Sequence, residues 1–352
     1  MTVHHKRRSR LRDALSADSG GVFVTRDLAS VRYLTGFSGS NATVVIGTDE
    51  VHLVTDGRYR EQVAHESPDV VAIIDRDVVG AMRGLCTGCE IDLDDRTPVG
   101  IAQQLTEAGL TVRAVADPVA PLRMVKDAQE LDALSRAGHI TARALEQVAD
   151  TITVGDREAD VARRLEAAFA EWGAEDRAFA TIVAGGENSA LPHHRAGDRQ
   201  LAMGDLLVID CGAKVEGYHA DMTRTFVVGA APDEWQHEIH SLVLRAQEAA
   251  RDALAPEVIA GDIDAAAREL ITQAGFGEAF AHGTGHGVGL DIHEQPMLSA
   301  RSSAVLPEHA VVTVEPGIYL PGRGGVRIED TVVVAHAPQV LTDLERGLTR
   351  VG

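Results

Sequence analysis

Short β-branched runs dominate the first third of the chain. Val22-Phe23-Val24, Ala42-Thr43-Val44-Val45-Ile46, Val51-His52-Leu53-Val54 and Val70-Val71-Ala72-Ile73-Ile74 are bounded by Gly, Asp and Pro and predict strands. Arg58 to His65 and Val99 to Ala108 carry helical spacing between and after them. Such alternation predicts an α/β domain with a mostly buried sheet. Asp117-Pro118-Val119-Ala120-Pro121 interrupts it, because proline resists both helix interiors and central strands. The boundary is placed there, dividing 1–120 from 121–352.

The remainder changes period. From Asp127 to Ala149, Leu131, Leu134, Ile140, Ala144, Leu145 and Val148 follow the spacing of one helical face. Gly155-Asp156 then precedes a second helix (Val161, Leu165, Ala168, Phe169), with Asp156 a natural N-cap. A further long helix from Asp233 to Leu254 is followed by Gly261-Asp262 and a shorter helix carrying Ile263, Ala266, Ala267, Leu270 and Ile271. Gly155 lies 55 residues before Asp210, and Gly261 lies 54 before Glu315. Both intervals end on a carboxylate in a β-rich segment, which predicts an internal duplication.

Composition narrows the class. Of 352 residues, 33 are Lys or Arg and 53 are Asp or Glu, a formal charge of −20, which repels phosphate backbones and argues against nucleic-acid binding. Lys6-Arg7-Arg8-Ser9-Arg10 reads as a solvated tail. No run reaches the roughly 18 apolar residues of a membrane span, and no apolar stretch follows the basic start as a secretory leader requires. Three cysteines build no disulfide framework and suit a reducing cytoplasm. Cys86-Thr87-Gly88-Cys89 has CxxC spacing without nearby partner ligands, and reads as free thiols in a loop.

The carboxylates carry the chemistry. Leu206 to Gly212 is a strand ending in Asp210, Tyr218 to Val228 a second strand carrying Asp221, and Lys214-Val215-Glu216-Gly217 the turn between. A symmetric hairpin puts Asp210 opposite Asp221, where like charges destabilise a sheet unless a cation offsets them. In the second half, Val311 to Glu315 enters a turn at Pro321-Gly322-Arg323-Gly324-Gly325, and Val326-Arg327-Ile328-Glu329 leaves it, so Glu315 faces Glu329 about Gly322. Four carboxylates gathered about a pseudo-twofold axis match two divalent cations, and hard oxygen ligands suit Mn²⁺ or another first-row ion.

Nitrogen comes from His282-Gly283-Thr284-Gly285-His286-Gly287-Val288-Gly289-Leu290-Asp291-Ile292-His293-Glu294, where glycines let imidazoles approach a shared centre. A phosphate-cradling loop is disfavoured, since no Lys-Ser/Thr follows. His193-His194 is a second candidate pair, whereas His4, His5, His52, His65, His237 and His240 are assigned no role.

These motifs resemble those of the metallopeptidase family that contains Xaa-Pro dipeptidase (prolidase), aminopeptidase P and methionine aminopeptidase, the family with the pita-bread fold. The resemblance runs through Asn188-Ser189-Ala190-Leu191-Pro192-His193, Asp210-Cys211-Gly212, Asp221-Met222-Thr223-Arg224-Thr225, His282 to Glu294, Glu315-Pro316-Gly317-Ile318-Tyr319 and Gly325 to Asp330. Arg32 to Asn41 and Thr55-Asp56-Gly57-Arg58-Tyr59 resemble the creatinase-like N-terminal domain of the prolyl branch. The implied architecture is an α/β creatinase-like domain over 1–120 and an α+β pita-bread domain over 121–352 with an internal pseudo-twofold duplication.

Carried over by position, the resemblance implies five metal ligands, Asp210, Asp221, His286, Glu315 and Glu329, with Asp210 and Glu329 in bridging and flanking roles. It implies substrate-binding and proton-handling roles for His193, His282 and His293, a place beside the last ligand for Arg327, and Glu315 as general acid/base. The expected reaction is hydrolysis of an Xaa-Pro bond at the N-terminus of dipeptides or short peptides by a hydroxide shared between two ions, Mn²⁺ foremost, with Co²⁺ or Zn²⁺ as alternatives. Methionine aminopeptidase lacks the extra N-terminal domain, and creatinase would show substituted ligands. Dipeptidase and aminopeptidase P both remain open. The alternative is a silent or non-prolyl pita-bread member, whose signature would be lost ligands. The resemblance also implies a homodimer, in the cytoplasm.

Overall fold

The computed structural model describes residues 2–15 and 21–352. The chain divides into two compact units, Met1–Arg123 and Met124–Gly352.

In the first unit, strands β1 (Val22–Thr25), β2 (Ala42–Ile46), β3 (Val51–Thr55), β4 (Val71–Ile74), β5 (Glu90–Asp94) and β6 (Thr111–Val115) form a mixed sheet in the order β4-β3-β2-β1-β5-β6. Helices α1 (Val3–Leu15), α2 (Leu28–Thr35), α3 (Arg60–Glu66), α4 (Val78–Leu85) and α5 (Val99–Glu107) accompany it, and α6 (Ala120–Met124) follows. The sheet is mostly buried, as expected, with only its edge strands β4 and β6 largely open to solvent. Strand β5 escapes a hydrophobic reading because Asp92 and Asp94 alternate with Ile91 and Leu93. Both acids are buried, Asp92 against Arg113 at 2.7 Å and Asp94 under the Thr25 hydroxyl at 2.6 Å.

The basic start is no solvated tail. It is helix α1, and its arginines finish helix α2, whose last carbonyls have no intrahelical donor. Arg7 donates to Tyr33 O at 3.1 Å with its guanidinium 4.3 Å from the Tyr33 ring centroid. Arg8 donates to Leu34 O at 2.7 Å and pairs with Asp69 at 2.9 Å. Cys86 also departs from the loop expected for it: it caps α4 and packs with Val24, Met82 and Ile91, and burial pushes its thiol up to about 11. All three cysteines are free.

The second unit is built twice. Helices α7 (Ala128–Ala149) and α8 (Glu158–Glu171) precede strands β7 (Asp176–Arg177), β8 (Ile182–Gly185), β9 (Leu206–Cys211), β10 (Ala213–Val215), β11 (Tyr218–His219) and β12 (Met222–Val228). Helices α9 (Glu234–Asp252) and α10 (Ala260–Gln273) precede β13 (Gly285–Gly287), β14 (Glu294–Leu298), β15 (Val311–Val314), β16 (Gly317–Leu320), β17 (Gly324–Arg327) and β18 (Asp330–Val333), with β19 (Gln339–Val340) and β20 (Thr349–Val351) last. In the first half β8, β9 and β12 pair antiparallel in succession, and in the second half β13, β15 and β18 do the same. Each half has its own core, with Leu145, Leu165 and Phe169 against Leu207 and Ile209 in one, and Val243, Ile263 and Ile271 against Val312 and Val332 in the other.

Capping boxes at Asp127-Glu130 and Asp233-Gln236 start both long helices. The Gly-Asp pairs act otherwise than expected. Asp156 does not cap α8; its carboxylate accepts from Thr153 N at 2.9 Å and meets Arg164 at 2.5 Å. Gly261-Asp262 lies inside the first turn of α10. No helix among the described residues is long and apolar enough to cross a membrane.

Candidate active site

Register decides which acids meet. In the first hairpin Asp210 opposes Thr223, and the strands close on a two-residue turn with Glu216 (φ 48°) and Gly217 (φ 79°) left-handed. The four-residue turn expected would have set Asp210 against Asp221. The tighter turn shifts the pairing by two, making them diagonal neighbours on one face. The strands also break between β11 and β12, and Asp221 occupies the break. Gly212 faces it, where a Cβ would lie 1.9 Å from Ala220 O.

The second hairpin keeps its expected register. Val314 pairs Asp330 and Gly317 pairs Arg327, so Glu315 and Glu329, in the gaps between those strands, fall opposite each other across Gly322. Breaks in the ladder free these acids to turn inward together. The halves are then tied by threonines of β12. Thr223 Oγ1 donates to Glu329 Oε2 at 2.6 Å, Glu329 N donates to Thr223 O at 3.1 Å, and Thr225 Oγ1 donates to Arg327 O at 2.9 Å.

His286 sits on β13. Gly285 and Gly287 let that strand run close to its neighbours, since a Cβ would lie 2.0 Å from Thr313 O at one and 2.2 Å from Gln295 O at the other. Nδ1 of His286 lies 2.9 Å from Gly287 O, leaving Nε2 toward the acids, 3.4 Å from Glu315 and 3.7 Å from Asp221. Ligand atoms of Asp221, His286 and Glu329 lie within 4.8 Å of one another. Burial, reinforced by the neighbouring acids, pushes Asp221 and Glu329 well above the usual carboxylate range. Burial likewise takes Glu315 up to about 8 and the His286 imidazole down to about 4.

Such a cluster of like charges needs a cation. Oδ1 of Asp210 and Oε1 of Glu329 are buried without a hydrogen-bond partner, a cost that native structures rarely carry. Hard oxygens and one imidazole are the donor set of a divalent metal centre. The residues fit the group.

Around the acids lies a cavity of about 800 Å³, whose wall includes Asp210, Asp221, His286, Glu315 and Glu329 together with His193, His282, His293 and Arg327. The His293 and His286 rings meet edge to face at 4.5 Å. His282 Nε2 lies 2.9 Å from Tyr319 Oη, and burial takes its pKa down to about 4. Arg327 reaches Asp210 Oδ2 at 2.6 Å and Tyr319 Oη at 2.8 Å. The second imidazole of the His193-His194 pair turns to the buried Glu158, 2.8 Å away.

Comparison with known proteins places the chain in a family. Residues 132–336 match the model of metallopeptidase family M24, and residues 7–125 match the creatinase/prolidase N-terminal domain. The chain belongs to metallopeptidase family M24. Over 237 residues it is 45% identical to an Xaa-Pro dipeptidase of Pyrococcus furiosus, covering 67% of this chain and 68% of that one. Its fold is similar to that of an X-Pro aminopeptidase from Thermotoga maritima (TM-score 0.91, 37% identity, 98% and 99% of the chains). It is also similar to an Xaa-Pro dipeptidase from Bacillus anthracis (TM-score 0.94, 33% identity, 99% and 100%). The pita-bread fold and the creatinase-like first domain are thereby established.

Several residues of this metallopeptidase's site carry no sequence signal of their own. Thr223 donates to Glu329 and accepts from Arg327 Nε at 3.0 Å, and Tyr319 bridges His282 and Arg327. Both lie inside the quoted motifs, where their hydroxyls stand out only once the hairpins are closed. Asp264 on α10 accepts from Thr284 N at 3.0 Å, and Glu158 on α8 accepts from Gly185 N at 2.9 Å, both remote in sequence from their partners. Nothing short of the tertiary fold connects them. Together the acids can hold divalent cations, and the imidazoles and guanidinium can grip a polar, amide-containing ligand in the same cavity.

Proposed function

We propose that this metallopeptidase hydrolyses the Xaa-Pro bond at the N-terminus of dipeptides or short peptides, with two divalent ions, Mn²⁺ foremost. The observation that carries the reading is the convergence of four carboxylates and His286 in one cavity, with Asp210 Oδ1 and Glu329 Oε1 buried and unpartnered. Asp210, Asp221, His286, Glu315 and Glu329 would hold the ions. When bound, such ions supply Lewis acidity toward a carbonyl and a water of lowered pKa.

The chain's own groups do the rest. Glu315 would accept the water's proton at its carboxylate and pass it toward the leaving nitrogen. His193 and His293 donate hydrogen bonds to the oxygen on which charge develops, an effect often worth about 10²–10³ in rate per donor. His282, His293 and Arg327 line the prolyl side. Arg327 is held there by Asp210, Thr223 and Tyr319. Three free cysteines accord with a cytoplasmic setting, and the family likeness with a homodimer, which light scattering in solution tests directly.

The test is to strip the protein, reload it with Mn²⁺, and compare an Xaa-Pro dipeptide, an Xaa-Pro-Pro tripeptide and an Xaa-Ala dipeptide. Cleavage of the Xaa-Pro dipeptide alone makes it a dipeptidase; equal or faster cleavage of the tripeptide makes it an aminopeptidase. Failure on both with Mn²⁺, Co²⁺ and Zn²⁺ ends the prolyl reading.

A further inference from the structure

Each half of the catalytic unit sets a buried helix-borne acid against its own histidine segment. In the second half Asp264 of α10 accepts from Thr284 N at 3.0 Å and Thr284 Oγ1 at 2.9 Å, and pairs with Arg268 at 2.7 Å. Arg268 in turn donates to Phe280 O at 2.9 Å and His282 O at 2.6 Å. Arg268 thus acts as a bridge between the acid and the backbone that carries His282.

The first half dispenses with the bridge. Glu158, the first residue of α8, is fully buried, and both its oxygens are spent on one segment. Oε1 accepts from Gly185 N and from Asn188 Nδ2, each at 2.9 Å. Oε2 lies 2.8 Å from His194 Nε2 and accepts from Gly197 N at 3.3 Å. Beside a carboxylate the Nε2–H tautomer of His194 is the one that donates. All four partners fall between residues 185 and 197, and the segment they delimit puts His193 and Arg195 on the cavity wall. His194, between those two, also reaches the wall, and its Nε2 is held by Glu158.

We propose that Glu158 is a positioning residue for peptide binding: through four hydrogen bonds it fixes the 185–197 segment, and with it His193, against the cavity. None of those partners is one of the five acid and imidazole groups of the metal centre. A buried carboxylate holding several donors is strong and expensive to lose, because each orphaned donor then stays dry. Its removal therefore loosens substrate contacts and leaves the cation cradle in place.

This inference rests on the peptidase reading, and the test separates the two. Glu158→Gln keeps the size but offers one acceptor oxygen in place of two; His194→Gln keeps the carboxylate and replaces the rigid ring N–H with an amide on a flexible side chain. Both are compared with the full-length wild type for kinetics on an Xaa-Pro dipeptide, for Mn²⁺ binding by calorimetry, and for amide hydrogen exchange at Gly185 and Gly197. The expected result is a KM raised and a kcat lowered, each about tenfold in Glu158→Gln and less in His194→Gln, because His193 meets both the substrate and the developing oxyanion. Exchange at Gly197 quickens and the Mn²⁺ isotherm is unchanged. A folded Glu158→Gln with unaltered KM, or one whose Mn²⁺ affinity falls in step with KM, overturns the proposal. Should Glu158→Gln not fold, His194→Gln decides on the same measurements. Should the wild type cut no peptide, the peptidase reading fails alone, and the exchange data decide: wild-type protection at both glycines in the variants overturns the positioning role.

Discussion

The two halves of the catalytic unit repeat a plan of two helices and three antiparallel strands, yet their hairpins close differently. In the first, the two-residue turn at Glu216-Gly217 sets Asp210 opposite Thr223. In the second, the longer loop about Gly322 sets Glu315 opposite Glu329. One half thus brings an acid and a hydroxyl into register, and the other brings two acids. The hydroxyl is not idle: Thr223 serves the carboxylate of Glu329 in the opposite half. Duplication repeats a scaffold, but turn length decides which side chains meet, and here the site is completed only across the repeat.

That division can be broken at its strongest points first. Asp221→Ala removes one acid and leaves Glu329 and Glu315 to repel each other, and Glu329→Ala does the converse from the other half. Both are expected to lose activity entirely and to flatten the Mn²⁺ titration. Full activity in either sinks the assignment of both halves to one metal centre. Thr223→Val is the sharper probe. It deletes the donor to Glu329 and the acceptor of Arg327 Nε while sparing all five ligands. Loss of such an outer partner costs about 10–100-fold in metal affinity. An unchanged titration would mean that Thr223 merely fills space between the halves.

Most of this site is legible in the sequence because carboxylates in strand-like runs are rare enough to count. Glu315 and Glu329 are placed opposite one another by arithmetic about Gly322 alone. Asp210 and Asp221 escape the same arithmetic because it assumes the turn, and nothing in Lys214-Val215-Glu216-Gly217 declares that Glu216 takes a left-handed conformation. The basic α1 misleads for a different reason. Arg7 and Arg8 look solvated until the carbonyl ends of α2 appear beside them, and that adjacency is tertiary. Strand β5 fails as a hydrophobic pattern since its inward acids are satisfied by Arg113 and Thr25, distant in sequence, alongside the local Arg96. Periodicity reports burial of apolar groups and says nothing of polar groups whose partners arrive only on folding.

Acid stability extends the comparison to helix α9, the long helix of the second half. His240 is only 3% exposed, and burial, together with nearby His237, takes its pKa from an ordinary 6.5 down to about 4. Between those values the unfolded chain binds a proton that the folded chain refuses. Stability is therefore intact above about pH 6.5 and falls as the pH drops toward 4, by at most about 3 kcal/mol from this group. His240→Gln is expected to reduce the difference between urea midpoints measured at pH 7 and pH 5. A difference as large as in the wild type would place the acid sensitivity elsewhere.

The smallest effect is expected outside both halves. Cys86 and Cys89 are spaced like a redox pair, but the thiol of Cys86 is fully buried beneath α4 while Cys89 is exposed. A reactive cysteine needs an accessible, lowered thiol, and burial raises this one to about 11. Cys86→Ser exchanges sulfur for a hydroxyl in an apolar core, which costs about 1–3 kcal/mol when the hydroxyl finds no partner. Peptide hydrolysis measured well below the melting temperature is expected to match the wild type, with a lowered melting temperature as the only change. A folded Cys86→Ser that loses most of its activity would return the CxxC pair to function.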